Sequence, residues 1–315
     1  MGNNINLAQV YTNFIDEALT ASSKTKWMED NAIDIDYDGG SSVRISTLNV
    51  SGMGSYDKTG ASGNYYPTGT ISNVWNTYNF TQDRGVEFQL DRVDPNDTNY
   101  LATVENVLKT FTNTQVIKEL DTYRFNKIYK LLSTSGLTST HLKSNVTLSA
   151  ANILTELNNA IFCVRKDSED ATDYVCFMAL SDVQFLRSAA SDTMNSVSYG
   201  NSITVNGQSF DDVIYFNEMP IITVPDSRLQ TSVTINDGKT AGQTNGGITV
   251  DSTSKLINFM IIGSNTPIAV MKLDEMKTFS PEFNQKGSGT LIQGRMLHDL
   301  WIPSKQFETI YACTK

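Results

Sequence analysis

Histidine and cysteine are the scarcest reactive residues in this sequence, two and three of them among 315. Cys163, Cys176 and Cys313 make an odd set, with no Cys-x-x-Cys spacing and no histidine beside them, which argues against a disulfide framework or a zinc site. His141 and His298 are far apart, and neither Gly-x-Ser-x-Gly nor the phosphate-cradling Gly-x-x-x-x-Gly-Lys-Ser/Thr occurs, so no nucleophile is paired with a base. The expectation is a chain that is not an enzyme, with no cofactor and no resident metal. Long apolar runs are missing too, and the start lacks the basic and apolar blocks of a signal peptide. No membrane partner is expected, and a cytosolic site of synthesis is. Basic residues are outnumbered 24 to 34, for a net charge of −10, which excludes broad, tight binding to nucleic acid.

Several partial motifs fail on inspection. Asp34-Ile35-Asp36-Tyr37-Asp38-Gly39 opens like a calcium-binding loop, but its twelfth position is Ile45 where a bidentate Glu is needed, and its flanks read as strand. Acidic side chains on the solvent side of a strand describe it better. Gly2 is followed at the hydroxyl position of a myristoylation motif by Asn6. The Asn-x-Ser/Thr triplets at Asn49, Asn79, Asn96 and Asn145 have no meaning in a chain that is not secreted.

What is present is enough to fold: 39% hydrophobic residues over a length that suits about two domains. The chain is organised around a long helix from Tyr100 to Leu132. Leu101, Val104, Leu108 and Phe111, then Ile117, Leu120, Ile128 and Leu131, keep helical spacing, with Glu105, Lys109, Lys118, Glu119 and Lys127 mostly between them. Asp94-Pro95 resembles a helix start, and Ser133 to Gly136 a stop. Such a helix runs roughly 45 to 50 Å, longer than a compact domain needs, and serves as a beam.

Before it lie a short amphipathic helix over residues 5–19, either docked on the body or donated to a neighbour, and a strand and glycine region from Ala32 to Phe80. The latter reads as a two-stranded excursion whose tip, Ser51 to Gly69, is too long for an ordinary turn. A two-stranded ribbon is marginal by itself in water, a hint of assembly. After the beam, Ser149 is expected to cap a helix stapled by Leu148 and Ile153, and Tyr174 to Leu180 to form a strand. Ser181 and Gln184 are expected to box a short helix from Asp182 to Ala189. Asn206-Gly207 marks a hairpin, Val213 to Phe216 and Ile221 to Val224 further strands, and residues 230–252 a surface excursion with turns at Asp237-Gly238 and Gly246-Gly247. Leu256 to Ile262 is apolar throughout, as a buried strand would be, and Pro267 to Leu273, Leu291 to Ile302 and Phe307 to Ala312 also read as strands.

Acids and arginines cluster along the beam and the strand before it: Asp83-Arg84, Asp91-Arg92 and Asp121 with Arg124. Arginine forks suit fixed contacts to carboxylates, including those between subunits; equally, they can be solvated surface pairs.

Two blocks carry a family resemblance. ThrGlnAspArgGlyValGluPheGlnLeuAspArgValAsp (81–94), followed by ThrGlnValIleLysGluLeuAspThrTyrArg (114–124), forms the first. ThrProIleAlaValMetLys (266–272), PheSerProGluPheAsnGln (279–285) and GlyArgMetLeuHisAspLeuTrpIle (294–302) form the second. In order and spacing they resemble the major capsid proteins of tailed bacteriophages, whose fold encapsulin shells share.

The resemblance implies an α+β fold with an N-terminal arm over 1–31 and an extended β-ribbon loop over 32–80. A peripheral domain with its spine helix would take 81–140 and 275–303, and a mixed α/β axial domain 141–274 and 304–315. It implies a structural subunit that self-assembles, as pentamers and hexamers, into the icosahedral head of a phage around double-stranded DNA. Such a protein belongs to the virion and is assembled in the host bacterial cytoplasm. Partners would be a separate scaffolding protein, since 1–30 is too short for a built-in one, a portal, decoration proteins, and packaged DNA touched weakly by an acidic inner surface. The expected assembly contacts are Arg84, Arg92, Arg124, Arg295 and Asp299 about the spine, and Lys58, Tyr65 and Tyr66 at the ribbon tip. A covalent link through Lys58, as some members form, would also need an acceptor and an acid from the neighbour, and is not expected. The alternatives are an encapsulin-type compartment with enzyme cargo or a β-rich phage tail or adhesion protein.

Overall fold

The computed structural model describes residues 23–32, 35–37, 42–60, 65–91, 104–169, 173–192 and 197–315. The chain divides into two compact units, Ala32–Thr81 and the remainder.

In the smaller unit, β1 (Ile35–Tyr37), β2 (Ser42–Val50) and β3 (Ile71–Asn79) form an antiparallel sheet in the order β1-β2-β3. The long pair runs in register from Ser42 opposite Asn79 to Val50 opposite Ile71. The expected ribbon of two strands thus has a third, because Ile35–Tyr37 folds back along Val43–Ile45. Its tip is hydrogen-bonded: Ser51 N donates to Thr70 O at 2.9 Å, and Asp57 N to Tyr65 O at 3.0 Å. Gly60 sits at φ +62 with the Tyr65 ring so close that a Cβ there would lie 3.0 Å from it. Of the partial calcium loop, Asp34, Asp38 and Gly39 lie outside the described residues.

The larger unit begins with a 3-10 turn at Lys26–Glu29 and, after the ribbon, β4 (Gln82–Leu90). The spine follows as α1 (Val104–Phe111), a π-helical turn (Thr112–Val116) and α2 (Ile117–Thr134). Its expected start at Asp94-Pro95, the residues up to Thr103 and the helix over 5–19 lie outside the described residues. Its end is at the expected place, with Gly136 at φ +84. Next come α3 (Thr138–His141), β5 (Leu142–Lys143), α4 (Ile153–Asp167), β6 (Tyr174–Ala179) and α5 (Leu180–Asp192). The β-rich remainder is β7 (Val197–Val205), β8 (Gln208–Phe216), β9 (Met219–Val224), β10 (Val233–Ile235), β11 (Ile248–Val250), β12 (Ile257–Gly263), β13 (Ile268–Phe279), β14 (Thr290–Trp301) and β15 (Tyr311–Thr314).

A seven-stranded mixed sheet in the order β5-β15-β12-β6-β9-β8-β7 carries the main cores. Period-two alternation sorts β6 between them: Val175, Phe177 and Ala179 meet α2 through Phe125, Ile128 and Leu132, while Tyr174, Cys176 and Met178 meet α4 and α5. In β12, Met260 and Ile262 go to the first core and Phe259 and Ile261 to the second. Burial on both faces explains why these two strands read as unbroken apolar runs. A smaller sheet, β13-β14-β4, packs Phe88, Met276 and Ile292 against Leu108, Ile117 and Leu120 of the spine.

Some local expectations give way to contacts from elsewhere. Helix α4 starts after Asn152, with no side-chain cap, and Ser149 donates its own N–H to Asn152 Oδ1 at 2.8 Å in place of capping. The box of Ser181 and Gln184 is not formed: α5 begins at Leu180, and Ser181 N is taken by Asp226 Oδ1 at 3.1 Å, from a turn far along the chain. Phe307 lies in a 3-10 helix, Ser304–Thr309, set off by Pro303, so the last strand starts only at Tyr311.

The Asn206-Gly207 hairpin has both residues at positive φ, as a type I′ turn requires. Asn217-Glu218 makes a second such turn, between β8 and β9, at φ +47 and +68. It escaped the sequence because Glu is a poor resident of the left-handed region. Glu218→Gly is therefore expected to stabilise the subunit by roughly 0.5–1 kcal/mol, read from the midpoint of urea unfolding.

Candidate assembly surfaces

Alternation along the ribbon separates two faces. Pairing places Arg44, Ser46, Leu48 and Val50 on the same side as Thr77, Trp75, Asn73 and Ile71. On that side Leu48, Val50, Ile71 and Trp75 are each more than half exposed. Exposed apolar side chains in such a row mark a surface that another molecule covers. At the tip, Tyr56 stacks on Tyr65 with centroids 6.2 Å apart and meets Tyr66 edge-on at 5.0 Å. Tyr65, Tyr66 and Lys58 are all exposed.

On the larger unit, the face of the β13-β14-β4 sheet turned away from the spine is a charged mosaic. Arg295 holds Asp83 through two bonds, Nε to Oδ1 at 2.9 Å and a terminal nitrogen to Oδ2 at 2.6 Å. Lys286 reaches Glu87 at 2.7 Å, and Lys277 reaches Glu275 at 2.9 Å. Every partner in these pairs is well exposed, so each can exchange its neighbour for a group on another chain. The Arg295 guanidinium holds the Asp83 carboxyl below its ordinary range.

The other spine residues expected at contacts are spent inside the subunit. Arg124 is fully buried and donates to Thr25 O at 2.9 Å and to Glu29. Asp299 is also fully buried and accepts from Tyr123 Oη at 2.5 Å and Leu300 N at 2.8 Å, with Lys127 Nζ 3.5 Å away. Neither presents a surface to a neighbour, which corrects their assignment as assembly contacts: the fold needed them to fix the spine to the segment before the ribbon and to β14. Arg84 is about a quarter exposed and binds Glu119 and, at 2.8 Å, Asn236 O, so it too is occupied within the subunit. Arg92 lies outside the described residues.

Beside Arg124 is a polar site that pattern alone did not reveal. The Asp121 carboxylate, fully buried, accepts from Ser23 Oγ at 2.6 Å, Thr25 Oγ1 at 2.6 Å, Lys24 N at 2.9 Å and Arg228 at 2.8 Å. It fastens Ser23–Glu29, and with it the buried Trp27 and Met28, onto the spine. His298, set edge-on to Tyr123 at 5.4 Å, is pushed down to about 4 by burial and then by the Arg124 charge, so it stays neutral and acts as a core residue.

Asp182, in the first turn of α5, is 6% exposed and its Oδ2 has no hydrogen-bond partner among the described residues. Burial, and then the charge of Asp226, push its carboxyl up to about 6. A carboxyl raised in the folded state favours folding below the unfolded value and loses that contribution as pH rises through 6. Asp182→Asn is therefore expected to stabilise the subunit at pH 8 by roughly 1–2 kcal/mol and to change little at pH 4, in parallel urea titrations.

No histidine stands beside a cysteine in the sequence, yet His141, Cys163 and Asp167 converge, with their ligand atoms within 4.8 Å of one another. Among the described residues no helix is long and apolar enough to cross a membrane.

No protein-family model matches the sequence, and no curated protein matches it. Solved structures do match. The mature capsid of bacteriophage PhiM1 is 14% identical, with a TM-score of 0.54 over 88% of this chain and 82% of that one. The capsid of cyanophage P-SCSP1u gives 12% identity and a TM-score of 0.56 over 88% and 84%. A virus-like particle from Pyrococcus furiosus gives 10% and 0.52 over 98% and 100%. The chain thus has the fold of tailed-phage capsid subunits over 88% of its length, without the sequence identity that would carry more than the fold.

Proposed function

We propose that this chain, built on the fold of phage capsid subunits, is a structural subunit that assembles with copies of itself into the closed icosahedral head of a tailed bacteriophage around double-stranded DNA. The observation that carries the reading is the exposed apolar face of the ribbon, Leu48, Val50, Ile71 and Trp75, on a chain whose fold is similar to capsid subunits over most of its length. A second copy covers that face. The residues assign naturally to an arm (1–31), an extended loop (32–80), a peripheral domain (81–140 and 275–303) and an axial domain (141–274 and 304–315). Each subunit is held by several neighbours in pentamers and hexamers, so modest contacts add to a stable shell. Lys58, Tyr65 and Tyr66 at the tip, Arg295 and Arg92 are the proposed lattice contacts. The role is structural and not catalytic. The net charge of −10 keeps contact with packaged DNA weak and non-specific. Scaffolding, portal and decoration proteins are the proposed partners, and the place of assembly is the host cytoplasm.

The second reading is an encapsulin-type compartment that encloses enzyme cargo; the fold is also similar to that of a virus-like particle from Pyrococcus furiosus, which does not support this reading better than the phage head. Negative-stain microscopy of the purified protein tests the shell: uniform hollow particles are expected, and discrete monomers under all assembly conditions overturn it. Shells formed in the native host that carry protein and no DNA select the second reading.

A further inference from the structure

His141 ends the short helix α3 with its ring fully buried, and Cys163 and Asp167, four residues apart, share one face of α4. Imidazole Nδ1 lies 2.8 Å from Ile310 O, and Nε2 lies 2.9 Å from Asp167 Oδ2. Both ring nitrogens therefore face oxygen acceptors, whereas a neutral imidazole has one N–H to give. With Nδ1–H assigned to the carbonyl, something positive has to lie between Nε2 and Asp167: a second proton, or a metal ion. Cys163 Sγ stands at the same place, its thiol turned to Thr140 O at 3.2 Å. The carbonyl on Nδ1 is the kind of partner that orients a ligating histidine and fixes its tautomer.

We propose that His141 Nε2, Cys163 Sγ and an Asp167 carboxylate oxygen form a binding site for a single divalent transition-metal ion, zinc being the best match. Imidazole, thiolate and carboxylate are the donor set that zinc takes in four-coordinate geometry, with water in the remaining position. Bonds of about 2.0–2.3 Å put the donors roughly 3.3–3.8 Å apart. The site closes with small side-chain movements, in which the 2.9 Å His–Asp contact opens and the sulfur turns from Thr140. Metal entry displaces the thiol proton and the proton between Nε2 and Asp167, and both leave to solvent. Without metal, burial and then the Asp167 charge hold the Cys163 thiol above its ordinary range, and the ion reverses that balance. The ion ties α3 to α4 and, through the Ile310 carbonyl, both to the chain entering β15. It is a structural clasp, independent of whether the subunit forms shells.

The test uses the full-length protein, stripped with a chelator and titrated with Zn²⁺ by calorimetry and with Co²⁺ by absorption. One ion per subunit, a thiolate-to-cobalt charge-transfer band and a raised melting temperature are expected. Cys163→Ser is expected to lose the band, and both it and Asp167→Asn to weaken binding by about tenfold or more, with little change in melting of the metal-free protein. Cys176 and Cys313 stay in place as internal controls, since both are buried away from solvent. No saturable binding by the wild-type protein, or an unchanged band in Cys163→Ser, overturns the proposal and leaves the cluster as a hydrogen-bonded ion pair.

Discussion

Asp121→Ala is expected to lower the stability of the subunit by about 3–5 kcal/mol, the cost of breaking a buried charge pair. The carboxylate accepts from Ser23, Thr25, the Lys24 amide and Arg228, and all four bonds are lost with it at a fully buried position. The loss propagates, because Ser23–Glu29 holds Trp27 against Phe177, ring on ring at 6.1 Å. Thermal and urea unfolding of the substituted subunit measure the effect. The control is Asp83→Ala. Asp83 also meets an arginine, through two bonds, but on an exposed sheet face, and pairs of that kind contribute little to folding. Two arginine-bound aspartates, one buried with four donors and one exposed with two bonds, should thus differ severalfold in their effect on stability. Equal losses would show that burial is not what gives Asp121 its weight.

Replacing Ser51–Thr70 by Asn-Gly is expected to abolish closed shells while leaving a folded subunit. The strands retain their ladder from Ser42–Asn79 to Val50–Ile71, and Asn-Gly closes a hairpin in the type I′ conformation. The seven-stranded sheet and its two cores contain no residue of the tip. What goes includes the tyrosine cluster and Lys58, all exposed. Circular dichroism and thermal melting should match the parent, and electron microscopy should show particles absent. Wild-type particle yield would refute the part assigned to the ribbon tip.

How much of this was legible depended on whether the cause was local. The unbroken apolar runs of β6 and β12, the Asn206-Gly207 hairpin and the helical stripe down the spine are short-range patterns, and the structure has elements where they put them. The caps were not legible, because Asp226 outcompetes Ser181 and Gln184 from more than forty residues away. Nor was the burial of Arg124, Asp121 and Asp299. Charged residues are read as surface by default, and their partners lie 95 to 176 positions distant. The cluster of His141 with Cys163 and Asp167 was half visible: the spacing of the last two places them on one helix face, but nothing local brings the histidine over them. The ribbon was legible as an excursion too marginal to stand alone, but not which of its side chains are exposed, because that is set by the pairing register of two strands some thirty residues apart.

Leu108 of α1 and Leu120 of α2 belong to the same apolar cluster, with Met276 and Ile292. In an unbroken α-helix, at about 100° per residue, twelve residues would leave them roughly 120° apart around the axis. A π turn takes up one extra residue, so the pair stands effectively eleven steps apart, within about 20° of three whole turns. The turn at Thr112–Val116 is thus a one-residue spacer that returns the two halves of the helix to a common phase. A chain one residue shorter at that point would carry the same apolar stripe on a plain α-helix, whereas the same deletion elsewhere in the spine would turn half of it away from its sheet.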